Sequence, residues 1–143
     1  MNKKATEFQK YLDEKKIVCF KSEEIAKDTL NTVVFRSLVE AEGQQLPMAV
    51  ILDSSIYCMI RVRIAPQMPS GAKEADVLKR LNDVNKKFKV FKYYLADDGG
   101  LYLDSCLVLT DEKAVGEKVY VILEVLVKHL QDEYKKLMQV LWA

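Results

Sequence analysis

The side chains that could do covalent or acid–base chemistry are few, and their spacing does not support it. His129 is the single histidine in 143 residues, and its neighbours on a helix would be Lys128, Asp132 and Glu133. A catalytic imidazole needs a nucleophile to activate and a group to orient it. None of those neighbours is a nucleophile, so His129 reads as a surface histidine. Cys19, Cys58 and Cys106 lie far apart in apolar runs and form no CxxC pair. Cys106, the nearest cysteine to His129, belongs to a different element, so no zinc-ligand spacing exists. Asp97, Asp98 and Asp104 surround Gly99-Gly100, but they lack the alternating ligands and closing Glu of an EF-hand loop. The glycine pair is followed by neither a helix nor a Lys-Ser/Thr step, which excludes a phosphate loop. Ser54, Ser55, Ser70 and Ser105 are the candidate nucleophilic serines, and none sits in GxSxG. The expectation is a protein that is not an enzyme, with no catalytic, cofactor-binding or metal-binding residue.

Arg36, Arg61, Arg63 and Lys92 are the charges of interest, because all four fall on strand-like runs. Arg61 and Arg63 share a face with Tyr57 and Met59, and basic groups beside aromatics can hold single-stranded nucleic acid. The totals oppose that reading: 22 Lys plus Arg stand against 21 Asp plus Glu, a net charge of +1. Such a balance leaves no electrostatic footprint for nucleic acid or anionic lipid. A solvated sheet face with cross-strand pairs is the simpler reading, and a contact surface for a protein or an acidic ligand is the alternative. No apolar run approaches a membrane span, and MNKKATEFQK does not resemble a signal peptide. Three cysteines in apolar runs read as reduced core residues, which implies a cytoplasmic protein.

The elements that position these residues follow from periodicity. The central stretch is Phe88 to Leu109, two strand-like runs meeting at Asp98-Gly99, a pair suited to a type I′ turn. A two-residue turn there puts Phe91, Tyr93, Leu95, Tyr102, Cys106 and Val108 on one face. Val90, Tyr94, Ala96, Leu101, Leu103, Leu107 and Leu109 fall on the other, and both faces are apolar enough to be covered. Upstream, Lys3 to Lys15 forms a helix whose narrow apolar face places it on the surface, burying little, Ile17 to Phe20 a short β-type run, and Ser22 to Thr29 a loop or a single helical turn. Three strands follow as a meander: Val33 to Ala41, then Met48 to Leu52 after a turn at Gly43-Gln44-Gln45, then Ile56 to Ile64 after Asp53-Ser54-Ser55. In the last, Ile56, Cys58, Ile60, Val62 and Ile64 point one way and Tyr57, Met59, Arg61 and Arg63 the other. Ser70 is positioned to cap a second helix from about Ala72 to Phe88, on which Arg80 stays in water. The whole chain, 1–143, is expected to be one α+β domain: an antiparallel sheet, meander plus hairpin, packed with three helices.

The third helix, capped by Thr110 or Asp111, runs toward Trp142. Val119, Ile122, Leu123, Leu126, Val127, Leu130, Tyr134, Leu137 and Leu141 form its core stripe. Val121 and Val125 stand outside that stripe, a turn apart. With Tyr57, Met59, Arg61 and Arg63 they are the candidate protein interface, being the residue types found at such surfaces.

The order helix, meander, helix, hairpin, long helix resembles the fold of type III secretion chaperones. More specifically, the chain is similar to the YbjN family of bacterial sensory transduction regulators. The resemblance rests on Leu81-Asn82 with Asn85, on Phe91-Lys92-Tyr93-Tyr94-Leu95-Ala96-Asp97-Asp98-Gly99 continuing to Leu103, and on the terminal amphipathic helix. It implies a non-enzymatic domain, often a homodimer, that handles protein partners in a chaperone-like or regulatory role. The alternative is a small-ligand sensor with a pocket between the hairpin and a helix.

Overall fold

A computed structural model describes residues 1–69 and 73–142. The elements are α1 (Lys3–Glu14), β1 (Lys21–Glu24), β2 (Val33–Ala41), β3 (Gln44–Leu52), β4 (Tyr57–Ala65), α2 (Glu74–Lys87), β5 (Lys92–Leu95), β6 (Leu101–Val108) and α3 (Val115–Leu141). The fold is α+β: a six-stranded antiparallel open sheet in the order β1-β2-β3-β4-β6-β5, with three helices.

The meander follows from period-two alternation. Val33, Phe35 and Val39 of β2, Met48, Val50 and Leu52 of β3, and Cys58, Ile60 and Val62 of β4 are all buried on one side. Register lines them up across the sheet, Phe35 opposite Val50 and Val50 opposite Ile60. The β2–β3 turn falls on Glu42-Gly43, one residue before the expected place. Both have positive φ, 49° and 76°, which is the type I′ requirement; Gln44 and Gln45 therefore belong to β3.

The hairpin departs from expectation in a way that matters. The Ala96 amide donates to the Gly100 carbonyl and the Gly99 amide to the Ala96 carbonyl, both at 2.9 Å. The loop is thus Asp97-Asp98-Gly99, and of the three only Gly99 has positive φ, at 84°. This is a type I turn closed by a left-handed glycine, not a two-residue type I′ turn. One extra loop residue shifts the register by one, and a one-residue slip moves side chains to the opposite face. Tyr93 therefore faces Leu103, and Tyr94 faces Tyr102. Phe91, Tyr93, Leu101 and Leu103 share the buried side, whereas Tyr94, Tyr102, Asp104, Cys106 and Val108 share the other. Nor are both hairpin faces covered, because the helices lie on the Tyr93 side alone.

The helical layer also corrects the sequence. α1 is not a shallow surface helix: Ala5, Phe8 and Leu12 are buried, and Phe8 meets Phe35 edge-on at 4.9 Å. Asn2 caps it, accepting from the Ala5 amide at 2.9 Å. Ile17 to Phe20 is irregular, and β1 forms next to it, at the start of the segment expected to be a loop. α2 begins at Glu74, with Lys73 in the N-cap position; Ser70, the expected cap, lies outside the described residues. Neither Thr110 nor Asp111 caps α3. Its N-cap is Ala114, in the left-handed region at φ 51°, and Asp111 instead accepts from the Lys113 amide at 2.8 Å. At 27 residues, α3 is about 40 Å long and packs against both α1 and α2.

Candidate functional site

With every helix on one side, the other side of the sheet is open. Its second row reads Val34, Ile51, Met59 and Cys106 across β2, β3, β4 and β6, four uncharged side chains in register. The next row reads Arg36, Ala49, Arg61, Asp104 and Lys92. Around these rows, Leu38, Tyr57 and Val108 are 58%, 51% and 60% exposed. Four of the candidate residues named from sequence, Tyr57, Met59, Arg61 and Arg63, stand together here on β4. Val121 and Val125 are exposed as expected, but they lie on α3, in the layer on the opposite side of the sheet. The six residues form two surfaces.

The charges on the open face are largely compensated in place. Arg61 grips Asp104 with two bonds, Nε to Oδ1 at 2.9 Å and Nη2 to Oδ2 at 3.0 Å. The Tyr94 hydroxyl donates to the same Oδ2 at 3.0 Å, and Asp104 is only 3% exposed. The hydrogen bond to Asp104 holds the Arg61 guanidinium still more firmly protonated than usual. Burial, then the Asp104 charge, pushes the Tyr94 hydroxyl above its ordinary pKa. Arg36 meets Glu23 at 3.3 Å, and the Lys92 ammonium lies 5.3 Å from the centre of the Tyr94 ring.

A second polar cluster lies in the core, where the sequence placed none. His129 is buried, not on the surface, at 5% exposure. Its ring is held edge-on to Phe88 at 4.4 Å and stacked on Phe91 at 4.3 Å. Nε2 shares a 2.6 Å hydrogen bond with the Tyr93 hydroxyl, while Nδ1 has no partner among the described residues. One turn on, buried Glu133 meets Arg80 of α2 at 3.2 Å and Lys136 at 3.5 Å, so Arg80 is not simply in water. Burial lowers the His129 pKa from 6.5, against the opposing pull of Glu133 and Asp132. Burial likewise raises that of Tyr93. Together with Asn85, which bonds the Tyr93 amide and carbonyl at 2.9 and 3.1 Å, the imidazole fastens β5 to the helices. The signal was present: His129 is three residues beyond Leu126 and Glu133 three beyond Leu130, both on the core stripe.

The cysteines are unbridged, but only Cys58 is a core residue; Cys19 and Cys106 are exposed. Cys19 lies in the irregular stretch before β1, and Cys106 points to the open face. Burial pushes the Cys58 thiol up to about 12. Among the described residues no group of three or more His, Cys, Asp or Glu side chains could hold a metal ion. No helix among them is long and apolar enough to cross a membrane. No family model matches this sequence, and no curated protein matches it either.

Proposed function

We propose that this chain is a non-enzymatic, cytoplasmic protein-binding module of chaperone-like or regulatory type, as its resemblance to YbjN proteins implies, and that it works through the open face of the sheet. One observation carries the reading: an uncharged row crosses four strands on a face that no helix covers. An antiparallel sheet with one wet side ordinarily puts polar residues there, whereas contiguous apolar surface rimmed by charge is the mark of a contact site. Tyr, Met and Arg, the types concentrated on β4, are those enriched at interfaces. Three unbridged cysteines agree with a reducing compartment. The small-ligand alternative needs room between hairpin and helix, and at that junction Phe91, Tyr93 and His129 are in direct contact.

The test is site-specific photo-cross-linking in cells, with the reactive residue placed at Met59 and, as a control, at Lys10 on α1. Protein adducts at Met59 and few at Lys10 are the expected outcome. Equal labelling from both positions, or none from either, would sink the proposal.

A further inference from the structure

We infer that the groove between α3 and the irregular stretch before β1 is a binding site for a small, neutral aromatic molecule. It lies on the helical side of the sheet, away from the open face and from the hairpin, and does not depend on the protein-binding reading. Its origin is in β2. The covered side of that strand carries Val33, Phe35, Ser37, Val39 and Ala41, and Ser37 is the small polar break in the row. Met48 stands opposite it on β3. Over this pair α3 contributes Tyr120, Leu123 and Val127, and Phe20 lines the groove from the stretch before β1, around a cavity of about 360 Å³. That falls within the range of small-molecule sites, roughly 300–1,000 Å³.

The walls select the occupant. Phe20 and Tyr120 both pack around Phe8, their ring centres 5.8 and 6.5 Å from its own. Rings held in this way are a ready surface for another ring, and the Met48 thioether makes favourable contact with aromatic edges. Apolar walls held apart by a groove forfeit dispersion contacts, which a ring set between them restores. The Ser37 hydroxyl on the floor can donate or accept one hydrogen bond, so a ring carrying a single N–H or O–H is matched. Burial pushes the Tyr120 hydroxyl up to about 12, with Cys19 and Tyr11 adding to it, as expected beside a groove poor in water. Charge is not selected. Glu124 and Lys128 stand a turn apart on the lip with opposite signs, and Lys128 is paired with Asp132 at 3.1 Å. A fatty carboxylate would meet Glu124 and Asp132 beside that lysine. The recess between α2 and α3 differs in kind, being lined by Lys73, Asp76, Arg80 and Lys136.

The experiment is fluorescence titration of the full chain with N-phenylnaphthylamine, a neutral aromatic amine with one N–H that brightens in apolar surroundings. Binding is expected to saturate at one probe per chain. Ser37→Leu fills the floor and should weaken binding several-fold, whereas Met59→Lys, on the open face, should leave it unchanged. Anilinonaphthalene sulfonate, a charged analogue, should bind several-fold more weakly than the neutral probe. No saturable binding by the native chain overturns the inference, as does binding kept in Ser37→Leu, lost in Met59→Lys, or tighter for the sulfonate. Should Ser37→Leu fail to fold, the native thiols supply the answer. Cys19 lines the groove and Cys106 stands on the open face, so saturating probe should slow alkylation of Cys19 several-fold and leave that of Cys106 unchanged. Equal rates for Cys19 with and without probe overturn the proposal. A groove that leaves the probe free while a photo-reactive residue at Gln131 captures protein in cells takes a protein side chain instead, and the small-molecule assignment falls. The cross-linking result at Met59 is independent of all these outcomes, so either reading can fail alone.

Discussion

Replacing His129 with phenylalanine should abolish most of the pH dependence of stability between about pH 5 and 8, the range where an ordinary histidine changes charge. The chain has one histidine, so that window is unusually clean. Burial lowers its pKa from 6.5 in the folded state, and unfolding restores the ordinary value. Below 6.5 the unfolded chain therefore binds more protons than the folded one, and stability rises with pH. The contribution of the neutral ring is fully present above 6.5 and is lost as pH falls through the lowered folded value. One proton limits the slope to about 1.4 kcal/mol per pH unit. Asp28 and Asp98, held below 3.8 mainly by hydrogen bonds to Thr32 and Tyr102, titrate outside the window.

The substitution has a second, pH-independent consequence. It leaves the Tyr93 hydroxyl, on a residue 2% exposed, without its 2.6 Å partner. An unsatisfied buried hydroxyl costs about 1–3 kcal/mol, so His129→Phe should be less stable than the native chain even at the alkaline end. Adding Tyr93→Phe should recover part of that loss, since removing both partners of a buried bond is cheaper than removing one. Urea denaturation of the native chain, both single variants and the double variant, at fixed ionic strength, measures all of this. A native stability that is flat or falls with pH across the window would refute the reasoning. So would a His129→Phe variant that keeps the native slope.

Gly116→Ala should destabilise the protein by about 1–3 kcal/mol, the usual cost of overpacking. A methyl group there would penetrate the Tyr11 side chain where α1 crosses α3, outweighing the roughly 1 kcal/mol gained in helix propensity; an unchanged thermal midpoint would show that the crossing is loose. In dilute native protein Cys19 and Cys106 should react with a thiol reagent, and Cys58 only after unfolding, since its thiol is buried and pushed up to about 12. Three fast thiols in the folded state would contradict that.

How much of this was legible in the sequence depended on whether the deciding contact was local. The faces of β2 and β4 could be read because a sheet covered on one side writes a period of two into its strands, whereas Met48 to Leu52 of β3 is nearly all apolar and does not show which side is covered. β1 could not: Lys21 to Glu24 has no apolar alternation, and only its pairing with Val33 to Arg36 makes it a strand. α1 shows a narrow stripe, and nothing local says that Phe8 meets Phe35 or that Tyr11 lies against Gly116. His129 and Glu133 were hidden differently. Their positions on the α3 stripe were readable, but their polarity suggested water, and the groups that satisfy them are on β5 and α2.

The hairpin joins these observations to the candidate site. Asp98-Gly99 is compatible both with a two-residue type I′ loop and with the last two residues of a three-residue loop, and sequence does not separate them. The difference of one residue decides where Asp104 goes. A two-residue loop would set it opposite Tyr93; the observed loop sets it opposite Lys92, on the face of Tyr94, where Arg61 reaches it with two hydrogen bonds. Read without that partner, Arg61 is one of a run of free cations inviting a polyanion. Read with it, the centre of the face is an internally neutralised pair beside an uncharged row.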